Sequence, residues 1–257
     1  MSDTYSWVDT HCHLYDNKIE GGTDVALSAA RAAGVHKMIV IGTDAVTTQQ
    51  AISLASANDD VWATVGLHPH DAKDGFDELL PFLGAERVVA IGECGLDYYY
   101  EHSDRQVQGE MFARQISIAN ELDLPLVIHT RNAWNETFEI LDRVGIPQRT
   151  IFHCFTGGPT EAAQCLERGA YLSFSGIVTF KAADDVRSAA IMCPIDRMLV
   201  ETDSPYLAPV PHRGKSNHPA LVSSVGKFIA DLRDESVAHI AQHTSRNACL
   251  AFPGIAP

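Results

Sequence analysis

The stretch RVVAIGECGLD, Arg87 to Asp97, begins as an uninterrupted apolar, β-branched run and then changes character. A strand that is apolar on successive residues, not alternate ones, is covered on both faces, as in a parallel sheet flanked by helices. Glu93 follows the run directly and Asp97 lies just beyond it. An isolated carboxylate at the end of a buried strand is costly, so Glu93 must be paired or bound to a metal ion.

Outward from this stretch the pattern repeats. Comparable runs stand at Tyr5–Asp9, His36–Ile41, Val61–Gly66, Leu124–Ile128, Arg149–Phe152, Ala170–Ser175 and Arg197–Val200. Segments with helical spacing, such as DVALSAARAAGV and QGEMFARQISIANELDL, lie between them, and the C-terminal HPALVSSVGKFIADLRDESVAHIAQHTSRNACLAF reads as two helices. Eight strand–helix units in 257 residues predict an α/β fold, a single (β/α)8 TIM barrel over residues 1–257 with no linker. The rival is a doubly wound open sheet, but no strand leads into a GxGxxG or GxxxxGK[ST] phosphate loop.

Composition narrows the function classes. The net charge of −14 excludes a broad basic surface for gripping duplex nucleic acid, so any phosphate must be held by a few cations or by metal. No run approaches the roughly 18 apolar residues of a membrane span. MSDTYSWVD lacks the basic and apolar regions of an export signal, and the six cysteines are scattered without a CxxC pair. The expectation is a cytoplasmic protein with reduced thiols.

The chemistry sits where strands end. VDTHCHL gives His11 and His13, AIGECGLD gives Glu93 and Asp97, LVIHTR gives His129 and Arg131, IFHCFTG gives His153, and LVETDSP gives Glu201 and Asp203. In a barrel, the C-terminal ends of the strands gather at one rim, where active sites form. His11 and His13, two apart on a strand, project to one face. With Glu93, His129, His153 and Asp203 they make six nitrogen and oxygen ligands. Such a set suits two divalent cations about 3.5–4 Å apart, bridged by a glutamate and activating a water. Imidazole with carboxylate favours Zn, Mn, Co or Ni over Ca, and accommodates Mg where water completes the shell. Asp203 is the expected general base. Glu201, two residues earlier, either orients water or substrate or is a buried structural carboxylate.

Several residues keep two readings. His68 and His70, flanking Pro69, are either contacts to substrate or ligands, or part of a plain loop. Arg131, Arg213 and Lys215 are expected to bind substrate phosphate, the alternative for loop charges being solvation. Tyr98, Tyr99 and Tyr100 either stack bases of a single strand or pack the rim.

Taken together, VDTHCHL, GLHPH, GECGLDYYY, PLVIHTR, HCFTGG, SFSGIVTF, VETDSPYLAPVPHRGKSN and SRNACLAF closely resemble the TatD family of metal-dependent deoxyribonucleases among the amidohydrolase-like barrels. The resemblance covers nearly the whole chain. It implies one ion on His11, His13, Glu93 and Asp203 and a second on Glu93, His129 and His153. It also implies Mg, Mn or Zn dependence, a cytoplasmic location, and hydrolysis of DNA phosphodiesters, especially from single-stranded 3′ ends. The sequence itself leads to no expectation of membrane association and names no protein partner. Similar proteins include hydrolases that remove D-amino acids from tRNA, which keeps another ester or amide as the alternative substrate.

The sequence departs from the family pattern at Tyr15, where Asp or Asn is usual, at Asn135 in place of an acid, and at Ser216 and His218. These departures bear on substrate preference. None removes an expected ligand, and Glu93 stands where many barrel relatives carry a carboxylated lysine.

Overall fold

The computed structural model describes residues 5–256. Residues 1–4 and 257, the two ends of the expected barrel domain and part of the stretch read for export, lie outside the described residues. Eight strands form one sheet in sequence order: β1 (Trp7–Cys12), β2 (Val35–Val40), β3 (Val61–Val65), β4 (Val88–Asp97), β5 (Leu126–Arg131), β6 (Thr150–Phe152), β7 (Tyr171–Phe174) and β8 (Met198–Val200). Every neighbouring pair from β1–β2 to β7–β8 is parallel. The sheet curls until the segment after β8 meets β1. There the Asp203 N–H donates to the His11 carbonyl at 2.9 Å and the His13 N–H to the Ser204 carbonyl at 2.7 Å. Eight parallel strands thus make a nearly closed barrel, as the spacing predicts.

The helices are α1 (Thr23–Ala32), α2 (Ala45–Ala57), α3 (Arg105–Leu122), α4 (Trp134–Val144), α5 (Pro159–Glu167), α6 (Asp184–Met192), α7 (Val222–Arg233) and α8 (Val237–Ala251). The crossover from β3 to β4 is not α-helical. It consists of two 3-10 turns, Pro69–Asp74 and Asp77–Phe82, because Pro81 and Gly75 interrupt the segment. One apolar cluster fills the barrel interior, with Val8, Ile39, Val89, Val127, Ile151, Tyr171 and Leu199 from seven strands, closed below by Phe252 and Ile255. A larger cluster lies between strands and helices. No described helix is long and apolar enough to cross a membrane, and all six cysteines are free thiols.

Two strands run further than their apolar runs. β4 continues past Gly92 to Asp97 because Cys94, Gly95, Leu96 and Asp97 pair with Ile128, His129, Thr130 and Arg131 of β5. The ladder shifts register between Ile91 and Cys94, around Glu93. At Gly95, with φ +133°, a Cβ would lie 2.0 Å from the His129 carbonyl oxygen, so only glycine lets the strands approach this closely. β1 likewise runs to Cys12 and so carries His11 within the strand.

Candidate metal centre

Strand alternation aims the site. Val127, Ile151 and Leu199 point into the barrel core. Two residues on, in the same inward rows, stand His129, His153 and Glu201. Above the apolar plug, the inward row therefore changes from aliphatic to ligand-type side chains at the C-terminal mouth.

Glu93 is the hub, and its two oxygens face different neighbours. Oε1 lies 2.8 Å from His153 Nε2, 3.1 Å from His129 Nδ1 and 3.4 Å from His68 Nε2. Oε2 lies 3.3 Å from His11 Nε2 and 4.0 Å from His13 Nε2. Asp203 Oδ1 completes that side, 3.4 Å from His13 Nε2 and 3.7 Å from His11 Nε2. Donors held about 2.1 Å from one ion at tetrahedral or octahedral angles stand about 3.0–3.4 Å apart. The separations to His129, His11 and, from Asp203, to His13 fall in that range, while the 2.8, 3.7 and 4.0 Å separations lie outside it. His11 supplies an independent test of fit. It is fully buried, and neither of its ring nitrogens has a hydrogen-bond partner among the described residues. An orphaned, buried imidazole nitrogen facing two carboxylates is unfavourable unless a cation completes it. The donor cluster suits divalent metal binding.

The outer hydrogen bonds fix which nitrogen each histidine offers. Tyr15 Oη lies 2.8 Å from the Ile41 carbonyl, which can only accept, so the hydroxyl proton goes there and Tyr15 accepts from His13 Nδ1 at 2.9 Å. His13 Nε2 is left bare toward Asp203. His129 gives its Nε2–H to Asp97 Oδ2 at 3.2 Å and keeps Nδ1 bare toward Glu93. His153 sets Nδ1 against Glu201 Oε1 at 3.3 Å and turns Nε2 to Glu93 Oε1 at 2.8 Å. Carboxylates and hydroxyls in this role orient ligand imidazoles and raise their basicity. His68 is the exception. Its Nδ1 accepts the His70 N–H at 3.2 Å, so the neutral ring carries its proton on Nε2, facing the cavity. Burial holds His68 down to about 4, and the ring is neutral at pH 7.

Charge and burial are in tension throughout. Burial opposes ionisation of Glu93, but the His153 and His68 imidazoles and the His11 contact hold it well below the usual carboxylate range. Asp97, almost fully buried, is likewise held low against burial by His129, the Tyr100 N–H and His70. Burial alone would lower His153; the Glu93 charge and the Glu201 hydrogen bond outweigh it and raise the imidazole well above its ordinary value. At neutral pH an entering cation must therefore displace a proton from His153. Metal affinity is expected to rise with pH through neutrality, approaching tenfold per pH unit for each proton displaced. Calorimetric titration with Mn at pH 6.5 and 8.0 checks this, and equal affinities would contradict it.

Asp9, beneath the site, closes the barrel seam. Its carboxyl oxygens accept from the Thr202 N–H at 2.9 Å and the Thr202 hydroxyl at 2.6 Å, and burial pushes its pKa up to about 8. It thereby ties the His11 strand to the loop carrying Asp203.

A cavity of about 910 Å³ opens over the cluster, lined by His13, His68, Glu93, His129, Arg131 and Asp203 among others. Glu201 does not reach it. That residue is fully buried and its Oε1 takes the Cys154 N–H at 2.8 Å as well as His153. Arg213 and Lys215 are not brought to the cavity either. The Arg213 guanidinium lies over the Phe180 ring, 3.8 Å from its centroid, and the Lys215 N–H closes a turn onto His212. Tyr15 entered the sequence reading only as a departure and Asp97 only as a rim acid. Their roles depend on contacts that no spacing reveals.

Comparison with known proteins identifies the family. The family model described as TatD related DNase matches residues 8–253. The uncharacterized metal-dependent hydrolase YcfH of Escherichia coli (strain K12) is 40% identical over 252 residues, covering 95% of each chain. A protein of Erwinia tasmaniensis named 3′-5′ ssDNA/RNA exonuclease TatD is 34% identical over 256 residues, covering 95% of this chain and 98% of its own. The crystal structure of YJJV, a TatD homolog from Escherichia coli K12, superposes with a TM-score of 0.91 at 28% identity, covering 98% of both chains. The match runs from one end of the barrel sequence to the other, and the chain belongs to the TatD family of metal-dependent hydrolases.

Proposed function

We propose that this hydrolase cleaves phosphodiester bonds of DNA at single-stranded ends, working with two divalent cations. The observation that carries the reading is the divided hub, Glu93, whose oxygens face separate sets of imidazole nitrogens. The family description and the exonuclease named among its relatives support the choice of substrate.

His11, His13, Asp203 and Glu93 Oε2 would hold one ion, and His129, His153 and Glu93 Oε1 the other. Bound Mg, Mn or Zn would polarise the phosphoryl group and lower the pKa of the attacking water. Asp203, at the cavity wall, takes the proton from that water. Glu201 acts through His153, whose ring it orients, and is a positioning residue. His68 donates its Nε2–H to a non-bridging phosphoryl oxygen. Arg131, lining the cavity, binds the phosphate ester. Arg213 and Lys215 would contact only nucleotides reaching beyond the cavity.

With a net charge of −14, affinity for DNA must come from these few local cations and from bound metal. It should fall steeply with salt as phosphate contacts release counterions. Incubation of end-labelled single-stranded DNA, RNA and aminoacyl-tRNA with Mg, Mn or Zn tests the reading. Stepwise shortening of DNA from the 3′ end is expected. Release of a D-amino acid from tRNA without any shortening of DNA would replace the phosphodiester by another ester.

A further inference from the structure

The aromatic run after Glu93 is unused in the chemistry above, yet its placement is specific. Tyr98 is engaged, with its ring packed against the core and covered by the Arg105 guanidinium at 4.3 Å. Tyr99 and Tyr100 instead stand out, 58% and 51% exposed, at the lip of the cavity that Tyr100 helps to line. The Arg131 guanidinium lies 4.0 Å from the Tyr99 ring centroid and 4.8 Å from that of Tyr100. No acidic side chain pairs with Arg131 among the described residues, although the chain carries 33 acids against 19 basic residues. A braced guanidinium with free N–H donors beside two exposed rings offers both a phosphate contact and a stacking face.

One residue indexes this platform to the reactive centre. Asp97 Oδ1 accepts the Tyr99 and Tyr100 N–H groups, each at 2.9 Å. Its other oxygen accepts from His129, whose opposite nitrogen faces Glu93. The ladder also sets Asp97 opposite Arg131, and the Tyr98 N–H donates to the Arg131 carbonyl at 2.9 Å. The backbone that carries the rings and the guanidinium is therefore held at a fixed offset from the ligand cluster by the Asp97 carboxylate and the β4–β5 ladder.

We infer that Tyr99, Tyr100 and Arg131 form a subsite that stacks the unpaired base of the nucleotide next to the scissile phosphate. The inference rests on the nucleic-acid reading and deepens it. A base held in a duplex has its faces covered by its neighbours, so such a subsite selects single strands and frayed ends. Stacking energy is nearly independent of base identity, and discrimination among the four bases should be weak.

The test compares wild type, Y99A/Y100A and Y99F/Y100F on a single-stranded oligonucleotide carrying 2-aminopurine in its 3′-terminal nucleotide and on a matched oligonucleotide abasic there. Wild type should quench 2-aminopurine fluorescence on binding and show a KM about tenfold or more higher for the abasic strand. Y99A/Y100A should lose the quench and treat both strands alike, with kcat changed less than KM. Y99F/Y100F, which keeps the rings, should restore both effects. Melting temperature and metal content report that each variant is folded and loaded.

An abasic penalty of equal size in wild type and Y99A/Y100A overturns the subsite, as does a quench that survives loss of both rings. If wild type cleaves neither strand under any of the three metals, the nuclease reading fails. The quench then decides the platform by itself, and its absence in wild type overturns it.

Discussion

Glu93→Gln is expected to leave the protein unable to retain divalent metal and to lower kcat on single-stranded DNA by about 10³-fold or more. The amide keeps the shape of the side chain, so packing beneath the centre is undisturbed. What disappears is the charge to which five imidazoles turn, at 2.8 Å for His153, 3.1 Å for His129, 3.3 Å for His11, 3.4 Å for His68 and 4.0 Å for His13. A neutral amide also presents an NH₂ group to one of the two donor sets, where a ligand oxygen stood. A readout independent of catalysis is available. Metal at about 100 times its dissociation constant stabilises the folded state by about 2.7 kcal/mol, or a rise of about 5–10 °C in Tm for a chain of this size. Wild type should show that rise and Glu93→Gln should not. A variant that melts with the same metal-induced shift and cleaves at the wild-type rate would end the shared-carboxylate account.

Asp203→Asn is expected to separate chemistry from loading. Against the opposition of burial, the His13 hydrogen bond and the His11 and His153 imidazoles hold the Asp203 carboxyl below its usual value, so it is ionised and able to take a proton across the neutral range. Asparagine cannot take that proton. General-base removal costs about 10²–10⁴-fold in rate. His11, His13 and Glu93 remain on that side of the cluster, so saturating Mn should still load the variant and KM should change little. Steady-state kinetics at saturating metal, with bound Mn counted by elemental analysis, decide the point. A kcat within threefold of wild type would return Asp203 to a purely structural role. The two variants are complementary: one loses the ions and the rate together, the other mainly the rate.

These expectations draw unequally on sequence and structure. All eight strands are legible in the chain because a strand buried on both faces is written as a local apolar run, and local patterns survive any tertiary context. Their ends are not. The apolar run of the fourth strand stops at Gly92, yet β4 continues to Asp97, held by pairing with β5 where a Cβ at Gly95 would collide with the His129 carbonyl. The third crossover becomes 3-10 turns for an equally local reason, its proline and glycine, and so was open to reading.

The side chains that meet around Glu93 could be named from sequence because the barrel sends every strand's C-terminal end to one mouth. The tertiary structure alone decided which nitrogen each imidazole offers, since that depends on Asp97 reaching His129, Tyr15 reaching His13 and Glu201 reaching His153. It also left Arg213 against Phe180 and away from the cavity, while placing Arg131 on the tyrosine pair beside it. The division has one physical cause. Periodicity and residue type record how a segment is covered, whereas hydrogen-bond direction and loop placement are set by atoms that meet only after the barrel has closed.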